Sequence, residues 1–134
     1  MNLTIILEKS KNEWFASCDA PHTFISTFGT NVEEVTANVK MLIEDHLENE
    51  GATQEEWQKV SIDNIEFEYQ YDLTSLFDYF KVLNVSEIAK KAGINKSLLL
   101  QYKGGIKHPS LKQAKKIEEA IHTVGSELLA VSVM

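Results

Sequence analysis

Residues 85–110 read VSEIAKKAGINKSLLLQYKGGIKHPS, and this stretch decides the fold of the C-terminal half of the chain. Ser86 is a good helix N-cap, and Ala89 and Ala92 follow it on one helical face. Gly93, four residues after Ala89, permits the left-handed backbone of a tight turn, and the small alanine lets a second helix cross closely. The stretch therefore predicts two short helices joined by a tight turn.

The second of these helices is predicted over residues 96–103. Asn95 is a suitable N-cap, and Leu99 lies on the face that should be buried. Two consecutive glycines, Gly104 and Gly105, end the helical pattern.

Further helices are predicted on both sides of this pair. Before it, apolar residues recur at i, i+3, i+4 and i+7, namely Leu73, Leu76, Phe77 and Phe80. After it, Pro109 and Ser110 start a longer helix with an inner stripe of Leu111, Ala114, Ile117, Ala120, Ile121 and Val124. Residues 73–134 are therefore expected to form an all-α domain of about five short helices.

This order of helices, caps and turn resembles the lambda-repressor-like (Cro/C1-type) helix-turn-helix family. In that family the second helix of the motif enters the DNA major groove, with its N-terminal residues nearest the bases. The resemblance implies DNA contacts from Asn95 and Lys96 at the start of this helix and from Ser97 and Gln101 along it. A glutamine suits the N6/N7 edge of adenine, a lysine suits the acceptors of guanine, and a serine suits a base or a phosphate.

The resemblance also implies contacts to the DNA backbone, which position the domain without reading sequence. The residues at the positions concerned are Tyr102, Lys103, Lys107, Ser110 and Lys112. Leu98 and Leu100 lie on the same helix, and one of them is expected to contact either thymine methyl groups or a neighbouring helix. Proteins of this type usually dimerise on palindromic operators, so a homodimer or a higher oligomer is expected.

The net charge of −7 hides an asymmetry between the two halves of the chain. Residues 1–72 carry 4 Lys against 15 Asp and Glu, a net charge of −11, whereas residues 73–134 carry 9 Lys against 5, a net charge of +4. The first half should repel DNA and attract a basic protein, and the second can approach phosphates. We therefore predict two domains with these boundaries and with different partners.

The N-terminal half has the pattern β-β-β-α-β and is predicted to form a small antiparallel-type sheet packed on one helix. Three short strands are expected before residue 30, and a helix follows with Asn31 as its N-cap and Gly51 near its end. The last strand is indicated by Ile65, Phe67, Tyr69 and Tyr71, which alternate with polar residues. Together with the helical half, this organisation makes the chain α+β.

Residues 6–47, ILEKSKNEWFASCDAPHTFISTFGTNVEEVTANVKMLIEDHL, resemble the HicB antitoxin domain. The similarity consists of a W-x-A strand from Trp14 to Ala16, the proline Pro21 after the second strand, and a helix entry at residues 30–35. It extends over residues 3–71, and Val35 stands where alanine is more usual. The resemblance implies a partial ribonuclease-H-like fold that neutralises HicA, a small basic mRNA-cleaving toxin.

The hypothesis that accounts for both halves is that the chain is the antitoxin of a HicA/HicB-type pair and also represses its own operon. Toxin contacts are guessed at the loop that contains Asp19 and Pro21 and at the acidic strand residues Glu66 and Glu68. One rival is a free-standing repressor whose N-terminal domain senses a ligand or only oligomerises. A second rival is a nuclease targeted by a helix-turn-helix module.

Catalysis, metals, cofactors and membranes are not expected. Carboxylates such as Glu8 and Asp19 lie on different strands, with no Asp in the middle of the first strand to begin a metal-binding set. The only cysteine, Cys18, alternates with apolar residues as a core residue does, and His46 lies on an apolar helix face. No apolar run approaches the roughly 20 residues that span a membrane, and the cytoplasm is the expected compartment.

Overall fold

A computed structural model describes all 134 residues and has an α+β architecture with one four-stranded mixed sheet and five helices. The chain divides into two compact units, residues 1–75 and residues 76–134. The boundary expected from the sequence, between residues 72 and 73, lies three residues earlier. Because residues 73–75 carry no charged side chain, the two structural units have the same net charges, −11 and +4, as the two halves of the sequence.

The sheet of the first unit has the strand order β3-β2-β1-β4. Its strands are β1 (Asn2–Ser10), β2 (Glu13–Ala20), β3 (Thr23–Gly29) and β4 (Glu66–Tyr71). β2 pairs antiparallel with β1 and β3, but β4 pairs parallel with β1, so the expectation of an antiparallel-type sheet is wrong at this edge. The physical reason is the helix after β3: it returns the chain along the sheet, and the next strand therefore runs in the same direction as β3.

The helix α1 (Val32–Glu48) covers one side of the sheet. The predicted N-cap is confirmed, because the side-chain oxygen of Asn31 accepts the Glu34 N–H at 2.8 Å. The Glu34 carboxylate accepts hydrogen bonds from the hydroxyl and the N–H of Thr30, and these bonds hold its pKa below the usual value. The helix residues buried against the strands are Val32, Val35, Val39 and Ile43.

Residues 49–65 return the chain to the sheet through three short 3-10 turns, Glu50–Thr53, Glu55–Trp57 and Ile62–Asn64. α1 ends at Glu48, three residues before the predicted stop at Gly51, which instead lies buried in the first turn. A Cβ at Gly51 would lie 2.9 Å from the His46 carbonyl oxygen, so a glycine is required for this close approach.

The second unit contains the remaining helices α2 (Leu73–Tyr79), α3 (Val85–Ala92), α4 (Lys96–Lys103) and α5 (Leu111–Leu129), of which α2 begins before the division between the units. Four helices therefore lie in residues 73–134, where about five short ones were expected. The last helix runs for 19 residues and buries Ile117 and Ala120, whereas Leu111, which was predicted for its inner stripe, is 88% exposed. None of the helices combines the length and the apolar character that a membrane crossing requires.

Candidate functional site

The turn between α3 and α4 is built from backbone hydrogen bonds of a kind that ends many helices. The N–H of Gly93 donates to the Lys90 carbonyl at 3.2 Å, and the N–H of Ile94 donates to the Ala89 carbonyl at 2.9 Å. This pair of bonds is the Schellman motif, which requires a left-handed residue directly after the helix. Gly93 supplies it with φ 68° and ψ 36°, so the predicted role of this glycine is confirmed.

The two helices of the motif are held by small and apolar residues around this turn. Ala89 and Ile94 are buried, and Leu99 on α4 is completely buried, as expected. α3 packs against both α4 and α5, so it links the other two helices. The prediction of two short helices joined by a tight turn is confirmed, and the turn from Gly93 to Asn95 has three residues.

Both helices of the motif start at asparagine caps. The side-chain oxygen of Asn84 accepts the Glu87 N–H at 3.1 Å, so Asn84 caps α3 and the prediction of Ser86 as the cap is wrong. An N-cap residue has an extended backbone, and Asn84 has one, whereas Ser86 already lies in the first helical turn. Asn95 caps α4 as predicted, accepting the Ser97 N–H at 2.8 Å.

The outward face of α4 carries most of the predicted base-reading residues. Lys96 and Ser97 are exposed and Gln101 is half-buried. Successive helix residues turn by about 100°, so one continuous arc of α4 contains Lys103, Lys96, Leu100, Ser97 and Gln101. Leu100 is 45% exposed near the middle of this arc, while Leu98 is half-buried at its border. Leu100 is therefore the apolar residue that this face presents to solvent.

Tyr102 does not lie on this face. Its side chain is only 6% exposed, because it falls on the same side of α4 as the fully buried Leu99. Little of the Tyr102 side chain is therefore accessible for the predicted contact with the DNA backbone, and that contact stays a prediction. The spacing of three residues from Leu99 predicts the inward orientation, since residues i and i+3 share a helix face.

The lysines expected to contact DNA, Lys96 at a base and the other three at phosphates, are exposed. Lys96, Lys103, Lys107 and Lys112 form no ion pair, whereas Lys90 and Lys91 pair with Glu87 and Glu127. The loop after α4 folds back onto the helix, because the N–H groups of Ile106 and Lys107 both donate to the Gln101 carbonyl, at 2.9 and 3.3 Å. Lys107 is thereby held next to the C-terminal turn of α4.

Ser110 has a structural role in addition to its predicted one. Its hydroxyl oxygen accepts the Gln113 N–H at 3.2 Å and so caps α5. The backbone N–H groups of the first helical turn have no partner within the helix, and they favour an anion such as a phosphate. The exposed Lys112 lies in this same turn.

The four residues guessed as toxin contacts do not lie in one loop and one strand as expected. Asp19 belongs to β2 itself, and Pro21 lies in the two-residue turn to β3, where its carbonyl accepts the indole N–H of Trp57 at 2.9 Å. Glu66 and Glu68 are exposed on β4. Their register with Asn2 and Thr4 places them on the side of the sheet opposite to α1.

The residues that most often signal chemistry are engaged in the fold. Cys18 is buried in β2, where burial and, second, the charge of Asp19 raise the pKa of its thiol. A raised pKa leaves less of the nucleophilic thiolate at neutral pH. His46 is largely buried, its ring contacts Trp57 edge-on, and its Nε2 lies 3.0 Å from the Gln54 side-chain oxygen. No group of three or more His, Cys, Asp or Glu side chains is arranged to hold a metal ion.

No family model, curated protein or solved structure matches this chain. The interpretation of the site therefore depends on its own geometry. The outward face of α4 carries hydrogen-bonding side chains and an exposed leucine, and unpaired lysines lie on α4 and in the chain segment that follows it. Such a surface can contact base edges and phosphates together.

Proposed function

We propose that this chain binds operator DNA through the outward face of α4 and the lysines that follow it in the chain, and represses its own operon, while its acidic first unit neutralises a small basic ribonuclease, as in HicA/HicB-type pairs. The observation that carries the DNA-binding part is the outward face of α4. Its polar side chains are directed away from a core that holds α3, α4 and α5 together. A recognition helix needs this rigid support, because base contacts require a fixed orientation in the major groove.

The charges of the second unit support the same proposal. Its net charge of +4 is concentrated in lysines such as Lys96, Lys103, Lys107 and Lys112, which are free of acidic partners. A lysine that approaches a phosphate releases a bound counterion, and this release favours association at low salt. DNA binding is therefore compatible with a chain whose overall charge is −7.

Lysine and glutamine substitutions on α4 should have different effects on DNA binding. Compared with the original chain, the Lys103→Ala variant should have a lower affinity for duplex DNA from the region upstream of the chain's own coding sequence. Its affinity for DNA of scrambled sequence should fall by the same factor. The slope of log K against log salt should fall by about 1. The Gln101→Ala variant should instead relax the preference at one base pair, at a cost of about 1–3 kcal/mol. Fluorescence anisotropy over a series of salt concentrations measures both effects.

Lys91→Ala is the matched control for this experiment. Lys91 is exposed, but it pairs at 3.7 Å with Glu127 near the end of α5, about 25 Å along that helix from Ser110. We expect the isotherm of this variant to coincide with that of the original chain. Unchanged isotherms for both Lys103→Ala and Gln101→Ala would place the DNA contact elsewhere.

The net charge of −11 on the first unit supports the proposed toxin-neutralising role. Opposite charges on two proteins raise their association rate and disfavour wrong partners more than they add affinity. We expect a small basic ribonuclease to co-purify with the full chain from its native host. Co-expression of the chain should rescue growth of cells that express this ribonuclease. If no basic protein co-purifies and growth needs no rescue, the antitoxin proposal fails and a repressor with a sensing or oligomerising first domain replaces it.

A further inference from the structure

The sheet of the first unit has two faces, and only one of them is covered. The buried residues of β1, such as Leu3, Ile5 and Leu7, face α1. Because side chains alternate along a strand, the intervening residues lie on the opposite side, which we call the open face. On β1 to β3 this face includes Ile6, Phe15, Ser17, Phe24, Ser26 and Phe28.

The open face carries an unusual amount of exposed apolar surface. Phe15 and Phe28 lie opposite each other on β2 and β3, with ring centroids 6.4 Å apart. Phe28 is 61% exposed and Phe24 is 66% exposed, while Ile6 is 40% exposed on the neighbouring strand β1. Exposed aromatic side chains clustered in this way are typical of a surface that another protein covers.

Small residues separate the aromatic ones. Ser17 pairs with Ser26 across β2 and β3, in the row between the pair Phe15–Phe28 and the exposed Phe24. Side chains in adjacent rows of one sheet face are about 7 Å apart, so the serines form a shallow depression between larger neighbours. A depression of this kind can receive a side chain from a partner protein.

The charges on the open face all have the same sign. Its charged strand residues are the carboxylates Glu8, Glu13, Asp19, Glu66 and Glu68. None of the lysines of the first unit lies at an open-face position: Lys9 falls on the α1 side of β1, Lys11 in a turn, Lys40 on α1 and Lys59 in the segment before β4. An aromatic patch whose charged neighbours on the strands are all carboxylates complements a partner surface rich in arginine and lysine.

We propose that the open face is the surface on which the basic protein partner docks, with Phe15 and Phe28 at its centre and the carboxylates around them. This inference rests on the proposed function and specifies its contact surface. An arginine can stack on an aromatic ring while its guanidinium donates to a carboxylate, so both features of the face act on the same partner side chains. A second copy of the chain fits poorly, because a two-fold contact would bring the two sets of five carboxylates together.

The test uses the full chain and the basic protein that co-purifies with it, purified separately. Phe28→Ser should weaken their binding about 10–100-fold, as substitutions at the centre of an interface do. Glu68→Lys should slow the association and reduce its dependence on salt. Isothermal titration calorimetry and stopped-flow fluorescence measure these effects. The tryptophan fluorescence of the free variants shows whether the first unit stays folded, because both tryptophans lie in it.

Matched controls are available on the outer side of α1. Met41 is exposed to the same extent as Phe28, 61%, and Glu44 is an exposed carboxylate. Met41→Ser and Glu44→Lys should bind as the original chain does.

Equal affinities of Phe28→Ser and Met41→Ser for the basic protein would overturn the docking surface and leave the antitoxin proposal intact. If the chain co-purifies with no basic protein, both proposals fail. If Phe28→Ser, measured without the partner, forms a smaller assembly in solution than the original chain does, the open face joins copies of the chain to one another. This result would also overturn the inference.

Discussion

The Tyr102→Ala substitution is expected to abolish DNA binding by unfolding residues 76–134. Tyr102 is buried beside Leu99 in the core that α4 shares with α3. Truncating a buried aromatic side chain to alanine costs about 3–5 kcal/mol. A unit of this size has an unfolding free energy of about 3–9 kcal/mol, so the loss leaves little or no stable structure. Circular dichroism at 222 nm should show a loss of helix, and anisotropy should show a loss of DNA binding.

Tyr102→Phe distinguishes a role of Tyr102 in packing the core from a contact of its hydroxyl group with the DNA backbone. It keeps the buried ring and removes only the hydroxyl group, so stability and affinity for upstream DNA should remain close to those of the original chain. Tryptophan fluorescence serves as an internal control in both variants, since Trp14 and Trp57 report on residues 1–75. If Tyr102→Phe weakens DNA binding as much as Lys103→Ala does, the hydroxyl group touches a phosphate and the structural assignment is wrong.

The Trp57→Ala substitution is expected to lower the unfolding free energy of residues 1–75 by about 3–5 kcal/mol. Trp57 is 3% exposed, and it anchors the segment between α1 and β4. Its indole N–H donates to the Pro21 carbonyl, and its ring contacts His46. Without this side chain the segment loses one of its attachments to the β2–β3 turn, and a cavity remains in the core. Urea unfolding followed by the fluorescence of the remaining Trp14 measures the change.

Trp57→Phe is the control that shows how much of the lost unfolding free energy comes from packing and how much from the hydrogen bond. Phenylalanine retains most of the apolar contact but leaves the Pro21 carbonyl without its donor, which should cost about 1–3 kcal/mol. We expect its unfolding midpoint to lie between those of Trp57→Ala and the original chain. If the unfolding free energy of Trp57→Ala stayed within about 0.5 kcal/mol of that of the original chain, the segment would not be anchored by this residue.

The two short helices α3 and α4 and the turn between them were largely predictable because local interactions determine them. Gly93 adopts a left-handed backbone that other residues reach only at a cost, and Asn95 has a side chain of the right length to cap α4. The cap of α3 was assigned two residues too late. Asn84 and Ser86 are both good capping residues. Asn84 is the cap because its backbone is extended, and the sequence does not indicate which of the two residues has this conformation.

Properties that depend on distant parts of the chain were harder to predict. Trp57 lies in a polar stretch without periodicity, so no pattern marked it as a core residue. The parallel pairing of β4 depends on the path that the chain takes after α1, and strand periodicity is the same for parallel and antiparallel partners. Tyr102 could have been assigned to the core from its spacing to Leu99, but the resemblance to a DNA-binding family favoured the surface.

The sequence by itself determined the helix pair at residues 85–110, because caps, a left-handed glycine and a helical apolar pattern act within a few residues of one another. It also determined the charge division between the two halves. Only the tertiary structure decided that Trp57 is a core residue and that β4 pairs parallel with β1, because both depend on the path of the chain after α1. The same holds for the open face of the sheet, where Phe15, Phe28 and Glu68 come from separate strands and are brought together by strand pairing alone.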